Sequence, residues 1–208
     1  MKLYGEFIFP RLMDWVMSGK AFQRVRGTLL EAAHGEVLEI GYGTGLNLCH
    51  YTEKVSHLAM IDPARLLPSK VRERVMQAPF PVHIERVAAE LLPFREQRFD
   101  VIVSTWTLCS IRDPLRALHE VRRVLKPHGL FLFLEHGRSE KETTAAWQDR
   151  LNPVQNLLGC GCNLNRPIVH LIEQSGLCIT HLDRFQMPHV PRIAGEMYQG
   201  HATPASDM

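Results

Sequence analysis

The sequence predicts an α/β fold, a doubly wound and mostly parallel sheet with helices on both faces. Three observations carry this reading. Residues 36–40 (EVLEI), 57–61 (HLAMI), 82–87 (VHIERV), 100–104 (DVIVS) and 129–135 (GLFLFLE) form short apolar runs, several nearly continuous in Val, Ile, Leu and Phe. Strands buried on both faces have that composition. Amphipathic stretches of helical period separate the runs, and this alternation is the signature of parallel strands joined by helices. A glycine-rich turn, Gly41 to Gly45, follows the first run directly.

The elements follow in order. In the opening 33 residues, Leu12, Trp15, Val16, Val25 and Leu29 fall at helical spacing. They predict helices that pack on the sheet or lid a site. Another helix is expected to begin near Leu46. Asp113 reads as a cap and Pro114 as the first helical residue. Leu115, Leu118, Val121 and Leu125 then mark one apolar face, and the KPHG run ends it. Trp147, Leu151 and Val154 predict a helix that Pro153 bends or ends. A short helix near 167–175 and two strand-like runs, 177–185 (LCITHLDRF) and 193–202 (IAGEMYQGHA), close the chain.

Length and composition fit one domain spanning 1–208, divided into an N-terminal helical lid (1–33), a core (34–140) and closing helices and strands (141–208). The chain is 45% hydrophobic, and its formal net charge is +2 with no basic run. A nucleic-acid partner is therefore not expected. Glu6, Pro10, Arg11 and Asp14 interrupt the apolar N-terminus. It reads neither as a membrane span nor as a cleaved signal peptide. Five irregularly spaced cysteines form no disulfide framework, so a cytoplasmic location is expected.

The glycine turn carries the chemistry. Gly41, Gly43 and Gly45 after a buried strand let backbone approach a ligand closely, because no Cβ intervenes. The second strand ends in Asp62, 21 residues beyond Gly41. A carboxylate at that strand tip accepts hydrogen bonds from both ribose hydroxyls of an adenosine group. The dinucleotide fingerprint needs glycine at 46, where this chain has Leu46, and no Lys-Ser or Lys-Thr pair makes a phosphate-binding loop.

With VAAELLPF, FDVIVSTWTLCSIRDP and EVRRVLKPHGLFLFLEHG following in order, residues 34 to 140 resemble the class I S-adenosylmethionine-dependent methyltransferases. The resemblance implies a seven-stranded Rossmann-like sheet whose last strand is antiparallel, and S-adenosyl-L-methionine as cofactor. It places Glu39, Gly41 and Gly43 beside the methionine part, Asp62 on the ribose, Pro63, Ala89, Glu90 and Leu91 around the adenine, and Thr105 facing the cofactor. Ala88 stands where the family often has an acidic residue for the adenine amino group, which leaves that contact to Glu90 or backbone.

The stretches TWTLCSIRD, FLEHG and GCGCNLNR further resemble the small branch whose animal members methylate alkyl thiols. That branch usually has threonine where this chain has Asn165, and its animal members carry an N-terminal membrane anchor not expected here. The resemblance implies a small-molecule methyl acceptor, a thiol first, with phospholipid amines and quinone precursors as alternatives. A nicotinamide-dependent oxidoreductase is the reading from another class, and a non-catalytic, metal-binding scaffold is a third. His136 is the expected catalytic group, accepting a proton from the acceptor or orienting it. Tyr4, Trp106, Cys109, Cys162 and Arg166 are expected around the acceptor, with Trp147 and Phe7 as further wall candidates. No metal is expected, because no C-x-x-C or H-x-x-x-H accompanies Cys160 and Cys162.

Overall fold

The computed structural model describes residues 4–64 and 66–205. Its centre is a seven-stranded sheet: β1 (Gly35–Ile40), β2 (Val55–Ile61), β3 (Val82–Glu85), β4 (Phe99–Thr105), β5 (Leu125–His136), β6 (Leu177–Gln186) and β7 (Glu196–Pro204). Their spatial order is β3-β2-β1-β4-β5-β7-β6. β7 runs antiparallel to both neighbours, and the other pairs are parallel. The chain therefore steps outward from β1 to β3, returns to β4 on the other side of β1, and opens a crevice at the C-terminal ends of β1 and β4. Open α/β sheets bind their ligands at such a reversal.

The near-continuous apolar strands have a direct cause. Leu38, Ile40, Ile61, Ile102, Phe131 and Phe133 face α4 (Pro114–Val124) and α6 (Ile168–Gln174), where Leu118, Val121 and Ile172 meet them. Val37, Leu58, Met60, Val101, Val103, Leu132 and Leu134 face the opposite layer, which holds Leu29 and Leu30 of α2 (Lys20–Leu30) and Val71 of α3 (Pro68–Met76). Alternate residues of each strand thus lose water on opposite faces, at about 1.5–3 kcal/mol for each large side chain.

Several elements differ from expectation. No α-helix begins at Leu46; a single 3₁₀ turn, Leu48–His50, follows the glycine loop, because Asn47 and Tyr51 turn inward to a buried carboxylate. β3 stops at Glu85. β5 begins at Leu125, so the KPHG run that ends α4 already belongs to the strand. The run from 193 starts as a short helix, α7 (Arg192–Gly195), before β7. Pro153 lies inside α5 (Glu142–Leu158) without ending it. The carbonyl that loses its helical bond belongs to Asp149, an exposed residue.

Ahead of α2 lie a π-helical turn, Tyr4–Ile8, and α1 (Phe9–Met17). Val25 and Leu29 pack inward as expected, whereas Leu12, Trp15 and Val16 stay exposed. What fixes α1 is polar. Asp14, buried on its inner face, accepts hydrogen bonds from Lys70 Nζ and Arg74 of α3. Arg74 also donates to the carbonyl of Thr44 in the glycine loop. Among the described residues no helix is long and apolar enough to cross a membrane.

Burial alone raises the Asp14 pKa, but the bonds from Arg74 and Lys70 outweigh it and bring the group down to about 2. A depressed carboxylate stabilises the fold above its ordinary pKa of 3.8 and loses that contribution as pH falls through about 2. Asp14→Asn is expected to cost about 2 kcal/mol at neutral pH, a deficit that shrinks toward acid. Denaturant titrations at neutral pH and near pH 2 check this, and an equal deficit at both would rule it out.

Candidate active site

The site is built from the C-terminal ends of β1, β2, β4 and β5. At the first, Glu39 is 2% exposed yet fully engaged. Tyr51 donates its hydroxyl to one carboxylate oxygen at 2.8 Å, and the Asn47 amide donates to the other at 3.0 Å. The same amide reaches Thr105 Oγ1 at 3.0 Å, and the Arg26 guanidinium donates to Asn47 Oδ1 at 2.8 Å and to Thr105 Oγ1 at 3.3 Å. Arg26 also lies over the Trp106 ring, 4.5 Å from its centroid. Burial pushes Glu39 up to about 7 against the Tyr51 hydroxyl and the Arg26 charge, and burial draws Arg26 down to about 10. Glu39 and Thr105, singled out by sequence, thus meet through Asn47 and Arg26, which were not. No local pattern marks these two residues, because their partners lie on other elements.

At the end of β2, Asp62 Oδ2 accepts the Gly43 N–H at 3.0 Å and Oδ1 accepts the Ala64 N–H at 2.8 Å. Burial raises the Asp62 pKa, and those two backbone bonds hold it back. Each oxygen keeps a further lone pair for a ligand hydroxyl. The glycines differ in role. A Cβ on Gly43, at φ +54°, would meet nothing within 4 Å. A Cβ on Gly41, at φ +69°, would lie 2.3 Å from the Thr107 side chain. Gly43 therefore keeps open space clear, and Gly41 admits the loop after β4.

That loop is held from below by Glu135, which is fully buried in β5. Its carboxylate accepts the Ser104 hydroxyl at 2.6 Å and the Thr107 N–H at 2.9 Å. Burial carries its pKa up to about 7, with the Ser104 and backbone donors acting against it. Thr107 also donates to the Gly41 carbonyl at 3.3 Å. Glu135 and Thr107 stood inside quoted motifs but were not singled out.

His136 ends β5 at 7% exposure, with Nε2 3.2 Å from Cys162 Sγ. Cys109 completes the group: its sulfur, the Cys162 sulfur and a His136 ring nitrogen lie within 4.8 Å of one another. The Cys109 neighbour and burial push the Cys162 thiol well up; burial lowers His136, but Cys162 and Glu135 together raise it above its ordinary value. The asparagines of GCGCNLNR explain the placement. Asn163 donates both its N–H (3.0 Å) and its amide (2.8 Å) to the Cys109 carbonyl, and Asn152 accepts the Leu164 N–H at 2.8 Å. Cys160 is exposed and outside the group.

Other expected residues have other partners. Trp106 packs against Phe22 and donates to Met197 Sδ, between α2 and β7. The Tyr4 hydroxyl binds the Leu158 carbonyl at the end of α5. Arg166 donates to the Ile111 carbonyl at 2.9 Å, fastening the loop before α6 to the loop after β4. Glu90 accepts the Asp113 N–H at 3.3 Å, Ala89 belongs to the core, and Leu91 and Pro63 are exposed. Phe7 and Trp147 are exposed as well.

Gly41→Ala is expected to cost about 2–4 kcal/mol, since backbone strain adds to displacement of Thr107. Thr107→Ser in the same chain should recover part of that loss. Chemical denaturation of both variants checks it, and an unaffected single variant would remove the close-approach role.

Residues 38–133 match the family model described as a methyltransferase domain. The human thiol S-methyltransferase TMT1A is 34% identical over 158 residues, 73% of this chain and 64% of that protein. The rat TMT1B is 33% identical over 67% of this chain and 58% of its own length. The chain thus spans less than two thirds of those two proteins. The human TMT1B is 30% identical over 80% of this chain and 70% of its own. Among solved structures, the YcgJ protein from Bacillus subtilis superimposes with a TM-score of 0.69 at 17% identity, covering 88% of this chain and 99% of that one. That likeness shows the fold, and the strand order agrees with the seven-stranded arrangement and its antiparallel strand. With this sheet, this glycine loop and these relatives, the chain belongs to the class I S-adenosylmethionine-dependent methyltransferases, in the branch of the TMT1 thiol S-methyltransferases.

Proposed function

We propose that this protein transfers a methyl group from S-adenosyl-L-methionine to a small-molecule thiol. The observation that carries the cofactor is the direct pairing of Asp62 with the Gly43 N–H at the sheet's reversal point, beside the open space that a Cβ on Gly43 would enter. A ribose accepted by Asp62 and a methionine chain over Gly41 and Gly43 follow the direction of the crevice, with Glu39 and Thr105 fixing the loop beneath. Pro63, Glu90 and Leu91 are assigned to the adenine side, with α1 tied to the glycine loop through Asp14 and Arg74 and α2 through Arg26 and Asn47.

The acceptor side is the loop after β4, the end of β5 and the 159–166 loop, where Cys109, His136 and Cys162 converge. Methyl transfer from a sulfonium is an in-line displacement, so alignment and exclusion of water supply much of the rate. The thiol assignment draws its support from relatives named thiol S-methyltransferases. An amine acceptor is the second reading, because a phosphatidylethanolamine N-methyltransferase from Cereibacter sphaeroides is 30% identical over 62% of this chain.

Asp62→Ala is expected to weaken S-adenosylmethionine binding at least tenfold, since a charge-assisted pair of hydrogen bonds is worth about 1.5–3 kcal/mol. Gly43→Val should lose the cofactor because its side chain enters the open space, and a β-branched residue at φ +54° also strains the loop. Calorimetry on both variants tests the site, and unchanged affinity in either folded variant removes that residue from it. For the acceptor, a screen of alkyl and aryl thiols, amines, phenols and phospholipids is read by release of S-adenosylhomocysteine. Turnover confined to phospholipid amines would replace the thiol reading and leave the methyltransferase one in place.

A further inference from the structure

Three side chains from three separate segments converge beside the proposed acceptor position. Cys109 comes from the loop after β4, His136 from the end of β5 and Cys162 from the loop before α6. No linear spacing connects them; sequence resemblance puts each near the acceptor, and the fold brings their ligand atoms within 4.8 Å of one another. We propose that they form a three-ligand site for a soft divalent cation of the zinc class, whose fourth position takes the acceptor thiol. The last part rests on the thiol reading above; the cation site does not.

The geometry fits that cation. Tetrahedral zinc holds sulfur at ~2.3 Å and imidazole nitrogen at ~2.0 Å, which sets its ligand atoms roughly 3.5–3.8 Å apart. Here all three lie within 4.8 Å of one another, and the His136–Cys162 pair is at 3.2 Å, so a small adjustment centres an ion. Two thiolates and an imidazole form the donor set that selects zinc over hard cations.

The surroundings hold these donors in place: the Cys109 thiol makes only long contacts, to the Trp106 carbonyl at 3.6 Å and Ser110 Oγ at 3.4 Å, which a cation would replace. Asn163 pins the Cys109 backbone through two hydrogen bonds. Asn156 donates to the Gly161 carbonyl and accepts the Gly161 N–H on its own carbonyl. Cys160, a non-glycine residue, sits at φ +51°, and Gly161 at φ +103°. The loop thus takes up a costly backbone conformation that presents Cys162 toward His136. The His136 ring is buried, and its Nδ1 has no hydrogen-bond partner. Cys162 is only part-buried, which leaves an approach for a fourth ligand.

The cluster also communicates with the cofactor loop. Thr107 bonds both to Glu135, which precedes His136, and to Gly41. A ligand on the fourth position is therefore held on the same loop that borders the proposed methyl donor.

The step balances without any oxidant or reductant. The acceptor thiol replaces water on the cation and releases its proton to solvent, since a coordinating thiol is deprotonated. A lone pair of that sulfur attacks the sulfonium methyl; the new carbon–sulfur bond forms as the old one breaks, and the departing electron pair stays on the sulfur of S-adenosylhomocysteine. The product thioether, neutral and a poorer ligand, leaves the cation. His136 serves as a ligand in this scheme, and no general base is required.

The test uses the whole chain, reduced with a phosphine, loaded with Zn²⁺ and dialysed free of excess. Elemental analysis should find one equivalent of zinc in the wild type and in Cys160→Ser, and little in Cys162→Ser or His136→Gln that retain their circular dichroism. Cobalt-loaded protein should show a thiolate charge-transfer band that a small alkyl thiol shifts and that Cys162→Ser lacks. Folded wild-type protein that retains no zinc overturns the site, as does equal retention by Cys162→Ser. A cobalt band untouched by a thiol that the enzyme methylates overturns the fourth-ligand assignment. Full thiol methylation after chelation overturns the cation's part while the thiol reading stands. Zinc retained with turnover of amines alone removes the thiol reading and the fourth-ligand assignment with it, and leaves the three-ligand site intact.

Discussion

A carboxylate taken out of water must find donors, and this molecule places two of them at the ends of its central strands. Glu39 on β1 and Glu135 on β5 are buried, and each is matched by groups from loops that would otherwise have no fixed path. Tyr51 and Asn47 turn toward Glu39, which shortens the segment after the glycine loop to a single 3₁₀ turn. Ser104 and the Thr107 backbone turn toward Glu135, which sets the loop after β4. An unmatched buried carboxylate costs several kcal/mol or takes up a proton, so the loops and the carboxylates fix one another. At both sites burial outweighs the donors and lifts the carboxyl to about 7.

From those anchors the two halves of the site become one unit. Arg26 links α2 to Asn47 and Thr105, and its guanidinium covers the Trp106 ring. Thr107 occupies the place of the missing Gly41 side chain while its N–H is held by Glu135. Asp14 fastens α1 to α3 and, through Arg74, to the Thr44 carbonyl. The proposed cofactor and acceptor regions are thus joined by hydrogen bonds at the ends of β1, β4 and β5. Methyl transfer depends on such alignment more than on any single reactive group.

The acceptor side shows how polar side chains shape a loop. In GCGCNLNR, Asn163 is spent on the Cys109 carbonyl and Arg166 on that of Ile111. Both bind backbone, and the result is a frame around two sulfurs and an imidazole. Trp106 and Tyr4, which sequence places around an acceptor, also bind at joints, Trp106 to Met197 of β7 and Tyr4 to the end of α5.

Much was legible in the chain itself. The sheet, its nearly continuous strands and its closing hairpin follow from apolar runs buried on both faces, a property each strand carries locally. The glycine loop and Asp62 were legible because a tight turn and a strand-tip carboxylate lie close in sequence. Helix limits were less so: Pro153 sits within α5 where the neighbouring turn, at Asp149, is exposed, an exposure no local pattern states. The partners of Glu39 and Glu135, and the meeting of Cys109, His136 and Cys162, were decided by tertiary structure alone. Each depends on which strands become neighbours, and residues such as Arg26 and Thr105, 79 positions apart, touch only once the sheet has formed.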